Sequence, residues 1–227
     1  YLLPNGELGY VERIEDASHF VKIICKAPDA STEVQTTWLR FQRPVEFTDD
    51  KGSLKQLHIS VAYALEQVSN TEKTRIVPVP NGGKVFIYFP TAKEHSGLRF
   101  HINAPFASTV ARDSVRDCEE NKKLIKLIAL LIRDSIASIK SLGLLNMSFL
   151  DTLPNDKDHI PLFYEPILDY VCNAFCQFEY LPAKDGSFVT AHKALQGSAS
   201  ISNLLNNTDI RNLAGIDKTW ILNASQR

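Results

Sequence analysis

Apolar and polar positions alternate through much of the first hundred residues and then change period. Val21 to Cys25 is a short apolar run. From Thr37 to Phe47, Trp38, Arg40, Arg43 and Glu46 break up Leu39, Phe41, Val45 and Phe47. A period near two puts alternate side chains on opposite faces of a strand, so this segment is predicted as a half-buried strand. Pro44 cannot donate to a ladder and is expected at an edge or a bulge. His58 to Tyr63 and Arg75 to Val79 are further strand candidates. Asn81-Gly82-Gly83 reads as a hairpin turn, leading into Lys84 to Phe89, a predicted buried strand closed by Pro90. Past Ser96-Gly97, Leu98 to Ile102 alternates again. These last two runs are predicted to pair in one sheet through the Thr91 to Gly97 loop.

From Ser114 the period becomes helical. Asn121 to Leu142 carries Leu124, Ile125, Leu127, Ile128, Leu131, Ile132, Ile136 and Ile139 on one wide face, expected to pack on the sheet. Lys122, Lys126, Arg133 and Lys140 fall on the opposite stripe, expected to be solvated, and Gly143 is placed to stop the helix. Beyond it, Asn155 to Asp158 is a polar loop and Pro161 to Cys176 a second helix. Phe178 to Leu181 and Phe188 to Ala191 flank Asp185-Gly186 as a hairpin. Short helical pieces follow around Ile201 to Leu205 and Asp209 to Leu213. The expected architecture is α/β (α+β): a mixed sheet packed against long helices over residues 1–143, then a mostly helical subdomain with a small hairpin over 144–227.

Composition narrows the function. With 227 residues, 44% of them hydrophobic, the chain can build its own core. Lys and Arg number 25 against 26 Asp and Glu, a net charge of −1, so nothing global draws it to nucleic acid or to an anionic membrane. No apolar run has the roughly 18 residues a membrane span needs, and no signal peptide is visible, so a cytoplasmic protein is expected. The chain begins Tyr-Leu-Leu-Pro, its one Met is Met147, and it ends Ser-Gln-Arg, which reads as a segment of a longer protein. Cys25, Cys118, Cys172 and Cys176 fit neither a zinc ribbon nor a CxxC pair and are expected as buried, reduced thiols.

The chemistry is sparse. His19, His58, His95, His101, His159 and His192 are scattered, with no HExxH pair, so no catalytic metal site is expected. There is no GxSxG, and Asn81-Gly82-Gly83-Lys84 is too short to wrap a phosphate. What stands out is Asn103-Ala104-Pro105-Phe106, then a Ser/Thr-containing loop, then Arg112-Asp113 and the long helix. Thr109 is placed to cap the helical region. The loop carries a guanidinium at a sheet edge, a planar fork suited to phosphate or carboxylate. The plainer reading is a surface arginine paired with Asp113 or Asp117.

The stretch Tyr88-Phe89-Pro90-Thr91, followed by Gly97-Leu98-Arg99-Phe100-His101-Ile102-Asn103-Ala104-Pro105-Phe106, resembles the segment that follows the nucleotide domain in sacsin-type repeats and related bacterial ATP-binding proteins. More broadly, Asn103 to Leu142 is similar to the middle segment of the GHKL ATPases, which include the ninety-kilodalton heat-shock chaperones. There, Ala104-Pro105-Phe106 stands near a Leu-Pro-Leu motif and Arg112-Asp113 on an Arg-Glu. The resemblance implies that Arg112 reaches the γ-phosphate of ATP held with magnesium by a preceding nucleotide-binding domain of the same chain. Arg116 stands where the chaperones carry an assisting glutamine, and is the second residue implied to contact the nucleotide. No Glu-x-x-x-Asn helix in the family's context, no Asp-x-Gly-x-Gly turn and no Gly-rich lid accompany them, so the segment alone is expected to be inactive and to hold no cofactor. Two other readings stay open: a non-enzymatic module that grips a protein client, and the transducer segment of a nucleic-acid-acting ATPase, for which the charge gives no support.

Overall fold

The alternation over Thr37 to Phe47 belongs to one of two long strands that organise the molecule. The computed structural model describes residues 9–16, 19–27, 32–48, 53–68, 71, 73–155 and 157–222. Both chain ends and Asp156 of the polar loop lie outside the described residues. In chain order the strands are β1 (Tyr10–Glu15), β2 (Phe20–Lys26), β3 (Val34–Thr48), β4 (Leu54–Gln67), β5 (Thr74–Val77), β6 (Val85–Phe86) and β7 (His101–Asn103). They form one mixed sheet in the order β1-β2-β3-β4-β7-β6, with β5 also on β4. All neighbours are antiparallel except β6 and β7, which run parallel with Val85 opposite Ile102 and Phe86 opposite Asn103. β2 pairs with β3 only from Val34 to Leu39. Pro44 therefore lies where β3 has β4 on one side and no strand among the described residues on the other, the edge position its missing N–H requires.

One face of this sheet is the core: Leu39, Phe41 and Val45 of β3, Ile59, Val61 and Tyr63 of β4, Ile76, Val85 and Ile102 are all buried. Onto it packs α1 (Glu119–Ser141), through Leu124, Ile125, Ile128, Leu131, Ile132, Ile136 and Ile139. The helix ends as its glycine predicts. Gly143 has φ +72°, its N–H donates to Lys140 O, and Leu144 N–H donates to Ile139 O, the paired bonds of a Schellman stop. After the short α2 (Met147–Leu150) comes α3 (Glu165–Gln177), which lies against α1 and buries Ile167, Val171, Ala174 and Phe175. The same buried cluster runs from Leu39 to Phe175. The chain closes with β8 (Leu181–Pro182) and β9 (Phe188–Val189) as the expected hairpin, then β10 (Ala194–Leu195), α4 (Ala199–Leu204), α5 (Asn207–Ala214) and β11 (Thr219–Trp220). The chain is an α/β protein, its mixed sheet and helices as the sequence predicts.

Several expectations change. The run Lys84 to Phe89 is a strand only at Val85–Phe86. The backbone then turns, Ile87 N–H donating to Phe89 O while Phe86 bridges Pro90, and Tyr88 and Phe89 point outward, 91% and 80% exposed. Leu98 and Phe100 are buried, but the residues 98–100 are not in a strand; Val79 and Gly83 donate to Arg99 O and Leu98 O. The Asn81-Gly82-Gly83 turn is real, with φ of +63° and +82° at its first two residues. It is not a hairpin, because β5 pairs with β4 and β6 with β7. Gly83 is compelled by space: a Cβ there would sit 1.8 Å from Phe100 O. None of the cysteines is fully buried and Cys172 is exposed, because α3 turns Val171, Ala174 and Phe175 inward rather than its sulfurs. Of the polar stripe on α1, Lys140 is not simply solvated: its ammonium lies 4.5 Å from the Phe188 ring centroid and donates to Glu179 O.

Candidate functional site

β6 and β7 are parallel, so their carboxyl ends meet at the same end of the sheet, and the segments that follow them carry the candidate chemistry. After Asn103 the chain buries Ala104 and Phe106. It then makes a narrow loop closed by a bridge between Ser108 and Val115 and by Thr109 N–H donating to Ser114 O. At its tip Arg112 N–H donates to Thr109 O, and Arg112 has φ +56°. A non-glycine residue in the left-handed region costs conformational energy, so the surroundings must hold it there.

Those surroundings are specific. Asn121, in the first turn of α1, is completely buried. Its Oδ1 accepts the Ala107 N–H at 2.9 Å, and its Nδ2 donates to Ala107 O at 2.8 Å and Arg116 O at 2.7 Å. One side chain thus ties both legs of the loop to the helix. The Glu94 carboxylate accepts Val115 N–H at 2.8 Å through one oxygen and the Tyr164 hydroxyl at 2.8 Å through the other. Burial, and then the bond to Glu94, push the Tyr164 hydroxyl far above its ordinary pKa, so it remains a donor. Lys93 donates from its backbone to Asp113 O at 2.9 Å, and its ammonium lies 2.6 Å from the Asp113 carboxylate. The hydrogen bond from Lys93, then that from Thr109, hold Asp113 down to about 2.

These bonds decide the state of Arg112. Asp113 is taken by Lys93 and Thr109, and Asp117 lies 3.4 Å from Lys122. The expected salt bridge from Arg112 to either acid is absent: among the described residues its guanidinium has no ion pair or hydrogen bond, and the residue is exposed. Arg116 is likewise exposed, and its positive charge is one of the lesser influences lowering the Glu120 pKa, after that residue's own backbone and Cys118. Thr109 does not cap the helix. α1 begins only at Glu119, with Cys118 at the N-cap making no side-chain cap bond, because the loop spends Thr109 on Asp113. Sequence reasoning missed Glu94, Lys93 and Asn121. Only Asn121 left a signal: it sits three and four residues before Leu124 and Ile125, a polar residue in the apolar stripe.

Elsewhere, a cleft of about 430 Å³ is lined by Val79, Gly82, Gly83, His95, Leu98 and Arg99, among others. It does not suit a triphosphate, since Arg99 is already committed to the Asp158 carboxylate and to Asp151 O and Leu153 O. Among the described residues no three His, Cys, Asp or Glu side chains gather as a metal site. Arg112 presents donors suited to phosphate or carboxylate oxygens, and no metal site stands beside it among the described residues. On the sheet face away from the helices, Trp38 stacks on His101 at 4.9 Å, and Phe86 meets the same imidazole edge-on. His101 Nδ1 accepts Lys84 N–H at 2.8 Å, and burial followed by the Lys84 charge lowers its pKa, so the ring is neutral near pH 7. No helix among the described residues is long and apolar enough to cross a membrane.

The class these features define is an α/β domain whose one-sided mixed sheet presents an arginine loop from its end. No protein-family model, curated protein or solved structure matches the chain.

Proposed function

We propose that this chain is the middle, transducer-like segment of a sacsin-like or heat-shock-chaperone-like GHKL ATPase of the cytoplasm. In this role it works beside a nucleotide-binding domain of the same protein that holds ATP and magnesium. It lends Arg112, with Arg116 nearby in sequence, to the terminal phosphate and passes the nucleotide state on to the rest of the molecule or to a protein client. The observation that carries the reading is the condition of Arg112. Its side chain is unpaired and exposed on a turn that Asn121, Glu94 and Lys93 hold in place, while both neighbouring acids are bound elsewhere. A guanidinium carried on a pinned backbone turn, and not neutralised at home, is available to developing phosphoryl charge.

The test is Arg112→Ala in the full-length protein. The expected outcome is a loss of about 2–4 kcal/mol in transition-state stabilisation with the melting temperature unchanged, and only partial recovery with Arg112→Lys, since a point charge does not replace the fork. Turnover within about twofold of normal refutes the role of Arg112. The isolated chain is expected to bind ATP no better than millimolar, read by calorimetry. A second reading, a non-enzymatic protein-interaction module, is favoured by the outward Tyr88 and Phe89; it predicts client binding that nucleotide leaves unchanged.

A further inference from the structure

β1 is the outermost strand on its side of the sheet, and among the described residues no strand pairs with its outer edge. All six of its residues are exposed, Val11 at 65% and Ile14 at 45%. An open edge is a row of backbone donors and acceptors ready to pair with another strand, and folded proteins usually blunt it. The molecule does so elsewhere. Pro44 lies on the stretch of β3 beyond β2, and β6, at the other end of the sheet, is only two residues long. β1 carries no proline, glycine or lysine.

The ladder shows which backbone groups of β1 are spare. Asp16 N–H donates to Phe20 O, and on the far side of β2 Arg40 N–H donates to His19 O. With Ile14 opposite Lys22 and Val21 opposite Trp38, the alternation of an antiparallel ladder gives the bonds to β2 to Tyr10, Glu12 and Ile14. Val11, Arg13 and Glu15 therefore turn their N–H and C=O outward.

Side chains then select a register for self-pairing. Two copies related by a two-fold axis normal to the sheet can align with Glu12, Arg13 or Ile14 at the axis. The first two set like charges face to face, which destabilises a cross-strand pair. The third sets Ile14 on Ile14 and places Arg13 opposite Glu15 on both sides, at positions where the outward backbone groups can bond. At the ends Glu12 meets Asp16, whose carboxylate already accepts Phe20 N–H at 3.0 Å. Within one copy Arg13 bonds Glu15, and Glu15 also reaches Arg40 at 2.9 Å, so the joined edges carry one row of alternating charge. The helices leave room: α1 rests on β4 and β3, and β3 of one copy would lie about 24 Å from β3 of the other, against a helix diameter of about 10–12 Å.

We propose that a second copy of this chain docks on β1, continuing the sheet antiparallel across Ile14, with Arg13 and Glu15 of each copy opposite Glu15 and Arg13 of the other. The pairing stands apart from the functional reading above, and neither depends on the other.

The experiment is done in the full-length protein and has two arms. In the first, Glu12→Cys, Arg13→Cys and Ile14→Cys are oxidised separately and links between copies are mapped by mass spectrometry. Only Ile14→Cys is expected to link to its own position in a second copy, because only the residue at the axis brings its Cα within the roughly 4.4–6.8 Å a disulfide spans. In the second, sedimentation measures self-association of Arg13→Glu and Glu15→Arg. Both positions are exposed, so each variant should melt as the parent does. Each should self-associate on the order of tenfold more weakly, and an equimolar mixture of the two should recover the parent's association, since each then faces its opposite charge.

No link at position 14 overturns the proposal, as does a link at 12 or 13 in its place. So does a mixture that associates no better than the separate variants. Slowed amide exchange over residues 10–15 that appears only with a different protein would assign the edge to that protein and overturn the proposal. If Ile14→Cys does not fold, the charge-swapped mixture alone decides.

Discussion

Asn121→Ala should release the arginine loop and weaken the whole fold. The side chain makes three hydrogen bonds, at 2.9, 2.8 and 2.7 Å, and is completely buried. At about 1 kcal/mol net per neutral bond the loss is about 3 kcal/mol. Alanine recovers up to about 0.7 kcal/mol through its better helix propensity. The net cost is then about 2–3 kcal/mol, which for a chain of this length lowers the melting temperature by roughly 4–12 °C. Thermal unfolding followed by circular dichroism reads the first effect, and faster amide exchange over residues 107–116 reads the second. Asn121→Asp separates the contributions. It keeps the acceptor for Ala107 N–H, loses both donations, and sets a carboxylate against two carbonyl oxygens, so it should be at least as damaging. Lys126→Ala, exposed on the same helix, is the control and should change little. If Asn121→Ala melts within about 1 °C of the parent, well under 1 kcal/mol, and its loop amides exchange normally, the loop is not held by this residue and the argument for a preorganised Arg112 fails.

Other outcomes follow from the same geometry. Ile128→Asp places a charge at a fully buried position on α1 and should cost about 3 kcal/mol or more in denaturant unfolding; an unchanged midpoint would show the face is not buried. Gly83→Ala drives a Cβ to 1.8 Å from Phe100 O and should cost about 3 kcal/mol or more, whereas a wild-type midpoint would mean the two segments do not meet so closely. Tyr63 buries a hydroxyl with no hydrogen-bond partner among the described residues, the nearby Ser135 donating to Ile132 O; Tyr63→Phe should leave stability equal or raised, and a loss above about 1 kcal/mol refutes the orphan hydroxyl. The Asp113 carboxyl should titrate near 2 by NMR, below its ordinary 3.8, because Lys93 and then Thr109 stabilise the charged form. A folded value below the unfolded one means that this tie is fully present above about pH 4 and is lost as pH falls through about 2, so an observed value near 3.8 would break the link between the two loops.

By itself the sequence determined what depends on neighbours along the chain. The helix over residues 121–142 and its buried face, its glycine stop, the alternating run that became part of β3, the strand candidate that became part of β4, and the hairpin at Asp185-Gly186 all follow from local sequence pattern and turn chemistry, and all stand in the structure. Arg112 was legible too, as a guanidinium on a loop, although the loop leaves the end of β7, an inner strand, and not a sheet edge. Only the tertiary structure decided matters that require knowing which segments meet. An apolar run such as Lys84 to Phe89 looks the same whether it is buried or turned outward; its fate was set when Phe86 bridged Pro90 and the chain reversed. The parallel pairing of β6 with β7, in place of a hairpin, rests on a contact across the intervening residues 87–100 that no local period encodes. The same holds for the charges. Asp113 and Asp117 both follow Arg112 in sequence, yet Lys93, twenty residues before Asp113, holds the first, and Lys122, at the start of α1, holds the second. Arg112 is left unpaired because a tertiary contact places Lys93 on Asp113 and the start of α1 places Lys122 on Asp117.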